Sequence, residues 1–118
     1  MAKKVLIADD ALLARKIARK ILEKEGYEIE EASSGAEAIE MVEKIKPDIL
    51  LLDLLMPGID GTKVLEEIKN KGIRLPIIVV SADTQETTRK KCFDLGAKAF
   101  LNKPLTEEDL KKALQEVQ

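Results

Sequence analysis

The sequence predicts a doubly wound α/β domain, a five-stranded parallel sheet with helices on both faces, and three observations carry that prediction. Short apolar runs alternate five times with stretches of helical period, which gives five βα units. The runs Val5-Leu6-Ile7, Ile49-Leu50-Leu51-Leu52 and Ile77-Ile78-Val79-Val80 are apolar without alternation, as strands covered on both faces require. Asp9, Asp10, Asp53, Ser81 and Lys103 each stand just past such a run, at the strand ends where an open parallel sheet receives its ligands.

The first strand is predicted at Lys4 to Ala8. In the helix that follows, Leu13, Ile17 and Ile21 recur at four-residue spacing, a stripe expected to lie on the sheet, and Gly26 stands where the helix should stop. The second strand, Glu28 to Ala32, alternates polar and apolar residues and so belongs at an edge. Ser34 with Glu37 is a capping-box pattern, and Ile39, Val42 and Ile45 recur at three in the second helix. After the third strand, Ile49 to Asp53, the turn-rich Met56-Pro57-Gly58-Ile59-Asp60-Gly61 offers two glycines for positive φ, and Gly72 closes the third helix.

The fourth strand is predicted at Pro76 to Ser81 and the fifth at Ala99 to Asn102. Between them the helix from Thr84 to Leu95, with a capping box of Asp83 and Glu86, has little apolar surface beyond Cys92, Phe93 and Leu95. It should be the most loosely anchored helix. Gly96 ends it, and Thr106 with Asp109 marks the start of the last helix. With right-handed crossovers, an edge second strand gives the order 2-1-3-4-5, whose winding reverses between strands one and three, the strands that end in Asp9, Asp10 and Asp53.

With 118 residues the chain suits one domain, residues 1–118. A net charge of −2 leaves no basic surplus to draw nucleic acid or an anionic membrane. A single cysteine, Cys92, permits no intrachain disulfide, and beside Phe93 it reads as a small packing residue. The start Met-Ala-Lys-Lys leads into a strand, not a secretory signal, and no apolar stretch approaches the roughly twenty residues of a membrane span, so a cytoplasmic setting is expected. Histidine is absent, which excludes imidazole bases, imidazole metal ligands and an internal phosphohistidine.

Three carboxylates brought together are unfavourable unless a cation shares them or a pKa rises. An all-oxygen set favours a hard ion that keeps some water, Mg²⁺ before Ca²⁺. Taken singly, Asp10 could be a helix cap, Lys103 a solvated loop lysine and Ser81 a turn serine; their alignment at adjoining strand ends is what points to chemistry. An ammonium beside the acids can neutralise one carboxylate and hold a phosphoryl oxygen, and the Lys103-Pro104 bond, if cis, would direct it.

Asp9-Asp10, Asp53 with Met56-Pro57-Gly58 and Gly61, Ser81-Ala82, Gly96-Ala97 and Lys103-Pro104 occur in the order and at the places that mark one family. The whole chain resembles the receiver domain of two-component response regulators, of the single-domain CheY-like type. That family has the flavodoxin-like (βα)5 fold in three α/β/α layers with strand order 2-1-3-4-5, so order and resemblance are one inference and not two. The resemblance implies that Asp53 is phosphorylated from a phosphohistidine on a histidine kinase or histidine phosphotransfer protein. It implies Mg²⁺ held by Asp10, Asp53 and the backbone carbonyl of Leu55, with Asp9 reaching it through water. It implies that Lys103 balances charge, that Ser81 turns to the phosphoryl group, and that Phe100 follows inward.

Leu55 and Asp83 match the positions that flank the path of attacking water, and Leu55 cannot orient one. The resemblance further implies a downstream target protein bound by the face of the fourth helix, fifth strand and fifth helix, with a monomer expected and a dimer through that face as the alternative. A different class, a small Mg²⁺-dependent phosphotransferase or phosphatase with an aspartyl-phosphate intermediate, would place a second Asp two residues after Asp53, where Leu55 stands. A nucleotide or flavin module would need a Gly-rich loop where Asp9-Asp10-Ala11-Leu12 stands.

Overall fold

A computed structural model describes residues 2–56, 58 and 60–117. Pro57 and Ile59 of the turn-rich segment lie outside the described residues. The elements run β1 (Lys4–Ala8), α1 (Leu12–Lys24), β2 (Glu28–Ala32), α2 (Gly35–Ile45), β3 (Ile49–Asp53), α3 (Gly61–Asn70), β4 (Ile77–Ser81), α4 (Glu86–Asp94), β5 (Ala99–Asn102) and α5 (Glu107–Val117). All strand pairs are parallel, in the order β2-β1-β3-β4-β5. The register sets Ala8 beside Ala32 and Leu52, and Asp53 beside Val80, so the strands finish level with one another at one end.

Alternation along the strands divides the core into two layers. Leu6, Ala8, Leu50, Leu52 and Val79 face α2, α3 and α4, where Val42, Val64, Leu65, Ile68 and Cys92 are buried. Val5, Ile7, Leu51, Ile78 and Val80 face α1 and α5, where Leu22, Leu110 and Leu114 close the layer. Fully apolar strands are thus explained by helices on both sides, and the half-exposed Ile29 and Glu31 of β2 by its edge position.

The row Leu13-Ile17-Ile21 does not lie on the sheet as predicted. Only Ile21 is buried; Leu13 is 70% and Ile17 45% exposed. A row spaced by four residues drifts about 40° around the helix at each step, because four residues overshoot a turn of 3.6. From Ile21 it therefore walks off the contact face towards the N-terminus, and α1 packs instead through Ala18, Ile21 and Leu22. Leu22→Ala should cost about 2–5 kcal/mol of stability as a core truncation, whereas Leu13→Ala should change it by no more than about 0.5 kcal/mol. Urea denaturation of the two variants checks this, and equal losses would restore the predicted packing.

Two helix starts are capped as predicted: Ser34 Oγ accepts from Glu37 N at 3.1 Å, and Thr106 Oγ1 accepts from Asp109 N at 3.1 Å. The Asp83 capping box does not form. The helix begins two residues later than predicted, with Gln85 at the cap position, because the Asp83 carboxylate is engaged by Gln85 N at 2.8 Å and Thr88 Oγ1 at 2.8 Å. Gly26, Gly72 and Gly96 all take positive φ where their helices end. Of the two loop glycines only Gly58 does, at φ +84. Gly61 is needed for a different reason: a Cβ there would sit 2.5 Å from Leu54 Cα and 2.9 Å from the Asp53 carbonyl oxygen.

Cys92 is the buried residue of α4, its thiol pushed up by burial, and it packs in the core as predicted. The face that α4 shows to solvent carries Arg89, whose guanidinium lies 5.2 Å from the centre of the Phe93 ring and 5.7 Å from that of Phe100. No helix among the described residues is long and apolar enough to cross a membrane.

Candidate functional site

The site forms where β1 and β3 diverge in winding. Asp9 and Asp10 leave the end of β1, Asp53 ends β3, and Lys103 follows β5. One carboxylate oxygen from each of Asp9, Asp10 and Asp53 can be chosen so that all lie within 4.8 Å of one another. Asp9 and Asp53 are buried and Asp10 is exposed. Such a group of hard, anionic oxygens, partly open to water, fits Mg²⁺, which prefers carboxylates and retains several waters.

Lys103 bridges the two buried acids, its Nζ 3.3 Å from Asp9 Oδ2 and 3.4 Å from Asp53 Oδ2. Both separations exceed the 2.7–2.9 Å typical of a charge-assisted bond, so the ammonium is shared by the two and committed to neither. Its main chain is held by the carbonyl of Ser81, which accepts from Lys103 N at 2.9 Å, and the following Lys103-Pro104 bond is cis. Burial lowers the Lys103 pKa, but Asp53 and Asp9 outweigh that and raise it, so the amine is charged at neutral pH.

One ammonium cannot neutralise three carboxylates. The Asp53 pKa is raised, chiefly by burial and next by the charge of Asp9, against the lowering effects of the Leu55 N–H and Lys103. Its Oδ1 accepts from Leu55 N at 3.3 Å. The resulting carboxylate is buried, fixed in direction, and short of positive charge, the condition in which a divalent cation gains most by binding.

Ser81 ends β4 fully buried, and its Oγ accepts from Asp83 N at 3.0 Å. Phe100 is buried in the layer of α2, α3 and α4, on the side where Arg89 covers it. Leu55 is 62% exposed beside Asp53. A cavity of about 550 Å³ opens at the site, floored by Ile7, Leu51 and Val80, and walled by Leu13 and Ile17 of α1 and by Pro104 and Leu105. The exposed apolar row of α1 is therefore the wall of the entrance to Asp53.

Two residues outside the strand-end set, Arg15 and Glu31, brace the site. Arg15 Nη1 donates to the main-chain carbonyl of Asp9 at 2.7 Å, and its Nε donates to Glu31 Oε1 at 2.9 Å. Arg19 Nε donates to the other oxygen, Glu31 Oε2, at 2.8 Å. The available signal was a pair of arginines one helical turn apart ahead of an acidic residue in an edge strand.

A family model described as the response regulator receiver domain matches residues 5–115. The chain is 37% identical over 110 residues to the response regulator MprA of Mycobacterium ulcerans, an alignment that covers 93% of this chain and 47% of MprA. It is 36% identical over 117 residues to the chemotaxis protein CheY of Halobacterium salinarum, covering 99% of this chain and 98% of that protein. Among solved structures, the CheX-CheY-BeF3-Mg²⁺ complex of Borrelia burgdorferi contains a chain that superposes with a TM-score of 0.93 at 32% identity, over 98% of this chain and 88% of that one. The chain belongs to the response regulator receiver domain family. A receiver in a two-component phosphorelay is the function that this fold and family define. The chain spans about half the length of the MprA proteins it matches.

Proposed function

We propose that Asp53 accepts a phosphoryl group from a phosphohistidine on a histidine kinase or histidine phosphotransfer protein, and that the modified domain binds a downstream target through α4, β5 and α5. The observation that carries this reading is the gathering of Asp9, Asp10 and Asp53 within 4.8 Å around an ammonium that bridges two of them. Because these 118 residues include no histidine, the donor histidine lies outside them. The apolar row of Leu13 and Ile17 beside the cavity gives the donor a place to seat. A cytoplasmic, monomeric protein suits this exchange.

A carboxylate oxygen of Asp53 attacks phosphorus, the bond from phosphorus to the donor's ring nitrogen breaks, and its electron pair stays on that nitrogen. An acyl phosphate on Asp53 and a free histidine result. Asp10, Asp53 and the Leu55 carbonyl would hold Mg²⁺ directly and Asp9 through water. When bound, that ion supplies positive charge to the phosphoryl oxygens, as does Lys103. The Borrelia burgdorferi chain that superposes so closely was crystallised with BeF3 and Mg²⁺, which supports the ion assigned here.

Ser81 would exchange the Asp83 N–H for a phosphoryl oxygen, and the space it leaves is filled by Phe100. Such a domain is a switch that catalyses its own modification, not an enzyme that turns over a substrate. Incubation with Mg²⁺ and acetyl phosphate tests it: the intact mass should rise by one phosphoryl group, only when Mg²⁺ is present. Continuous phosphate release from general phosphate esters would mark a phosphatase and overturn the reading.

Loss of the phosphoryl group should be slow. Leu55 offers no group to orient water, and the Asp83 carboxylate is spent on Gln85 and Thr88. Leu55→Asn is expected to speed dephosphorylation several-fold, measured as decay of the phosphorylated mass, and an unchanged or longer lifetime would count against this account.

A further inference from the structure

We propose that Arg15 is a positioning residue for the cation-binding acids, aiming Asp10 through the peptide that joins it to Asp9. The inference rests on the Mg²⁺ site proposed above and adds what holds that site in shape. Asp9 is fixed at four points. Its N–H donates to the Ala32 carbonyl at 3.1 Å, its Oδ1 accepts from Ala11 N at 2.9 Å, its Oδ2 lies 3.3 Å from Lys103 Nζ, and its carbonyl accepts from Arg15 Nη1 at 2.7 Å.

The last of these has a reach the others lack. A peptide unit is planar, so a carbonyl pinned in direction also fixes the nitrogen and Cα that follow it. Those atoms are Asp10's. Asp10 stands exposed past the end of β1 and before α1, outside both the sheet ladder and the helix. The Asp9 carbonyl is thus the handle by which the fold can orient the acid that contributes the exposed oxygen of the cluster.

Arg15 is itself held from behind. Its side chain is 14% exposed and its Nε is bonded to Glu31, whose second oxygen takes Arg19. Glu31 belongs to β2, paired in register with Ile7 of β1, so the clamp is anchored in the sheet and not in a loop. The Glu31 carboxyl is held below its usual range, chiefly by its bond to Arg19 with Arg15 adding to it, and remains ionised. A planar guanidinium can serve Asp9 and Glu31 together at fixed angles; a lysine ammonium on the same stem offers a point charge without that fork.

Charge and positioning predict opposite signs. A guanidinium near a cation site repels the cation, so if Arg15 acted only through its charge, Arg15→Gln would tighten Mg²⁺. If it positions Asp10, the same change weakens Mg²⁺ by about tenfold or more, the usual loss when a group that orients a metal ligand is removed. Calorimetric titration of the unphosphorylated protein with Mg²⁺ reads the difference directly, at a temperature well below the melting points of all variants. Arg15→Lys, which keeps the charge and loses the fork, should weaken Mg²⁺ nearly as much as Arg15→Gln. Glu31→Gln, which releases the fork from behind, should weaken it less, and the double variant should show a loss smaller than the sum of the two.

The acetyl phosphate reaction gives the second readout: its rate in Arg15→Gln should recover towards that of the wild type as Mg²⁺ is raised to saturation. Unchanged or tighter Mg²⁺ binding in Arg15→Gln and Arg15→Lys, with wild-type binding intact, overturns the positioning role alone. A wild-type chain that takes up no Mg²⁺ overturns this inference and the proposed function together.

Discussion

Asp53→Asn is expected to abolish the mass increase seen with Mg²⁺ and acetyl phosphate, because the amide that replaces the carboxylate is no nucleophile towards phosphorus. The same variant should be more stable than wild type when Mg²⁺ is absent. Asp9, Asp10 and Asp53 carry three negative charges against the one positive charge of Lys103, and neutralising Asp53 halves the imbalance. The gain has a defined pH range. Burial and Asp9 raise the Asp53 pKa above its unfolded value, so the folded protein binds this proton more tightly and wild-type stability falls as pH rises through that window. The advantage of Asp53→Asn is therefore full above the raised pKa and fades as pH drops through it. Added Mg²⁺ should reverse the ranking, since it stabilises only a chain that binds it. Thermal melts of both proteins at neutral and acidic pH, with and without Mg²⁺, test each limb. An adduct that persists in the variant would relocate the acceptor.

Gly61→Ala is the second large effect, and it acts on the same residue from behind. The first residue of α3 is buried against the segment after β3, and its N–H donates to the Leu54 carbonyl at 2.8 Å. A methyl group there would lie 2.5 Å from Leu54 Cα, 2.7 Å from Leu54 Cδ2 and 2.9 Å from the Asp53 carbonyl oxygen. Two of those three atoms are main chain, so no side-chain rotation relieves the contact. Overpacking of this kind costs about 1–3 kcal/mol, and with backbone as the obstacle the upper end is expected, a fall in melting temperature on the order of 10 °C. What must move is the chain that carries Asp53, so phosphorylation at a given Mg²⁺ concentration should slow as well. Gly58→Ala is the control. It meets nothing within 4 Å and imposes only the strain of its φ of +84, about 1–2 kcal/mol. Its phosphorylation rate should match wild type. Equal kinetic effects at the two glycines would mean that loop flexibility, and not the packing of Gly61 on Leu54, governs the site.

The division between what the sequence showed and what it concealed follows the range of the forces involved. Strand positions were legible because Val5-Leu6-Ile7 and Ile49-Leu50-Leu51-Leu52 must be buried on both faces, a requirement written locally in residue type. The acids and Lys103 were legible because parallel strands in level register bring their ends together whatever lies between. Which way a helix turns its apolar residues was not, since Leu13 and Ile17 satisfy the spacing of a buried stripe and yet face the cavity that leads to Asp53. The start of α4 was misplaced because Asp83 has two uses for one carboxylate, and competition among nearby donors decides between them. Gly61 read as a loop glycine available for positive φ; its need for close approach depends on Leu54, which reaches it only through the fold. Arg15 and Glu31 left only a weak sequence signal for a like reason, as their partnership joins a helix to an edge strand across a turn.

The slight anchoring of α4 bears on how much energy a signal must supply. Cys92 is its buried residue, Gln85 gives its first turn no side-chain bond, and Arg89 ties it outward to Phe100 through the face of a ring. A guanidinium resting on an aromatic ring at an exposed site is worth about 0.5–1 kcal/mol. A new hydrogen bond to a charged group is worth about 1.5–3 kcal/mol. The bond that Ser81 would make to a phosphoryl oxygen replaces the neutral one from Asp83 N, worth about 0.5–1.5 kcal/mol, so the net gain of about 1 kcal/mol or more is comparable with the Arg89 tie. Each step of about 1.4 kcal/mol changes the ratio of two arrangements of this helix tenfold. Had α4 been seated as deeply as Leu22 seats α1, one covalent event on Asp53 at the end of β3 would be too small to read out. The sparse core beneath this helix would then set the gain of the proposed switch.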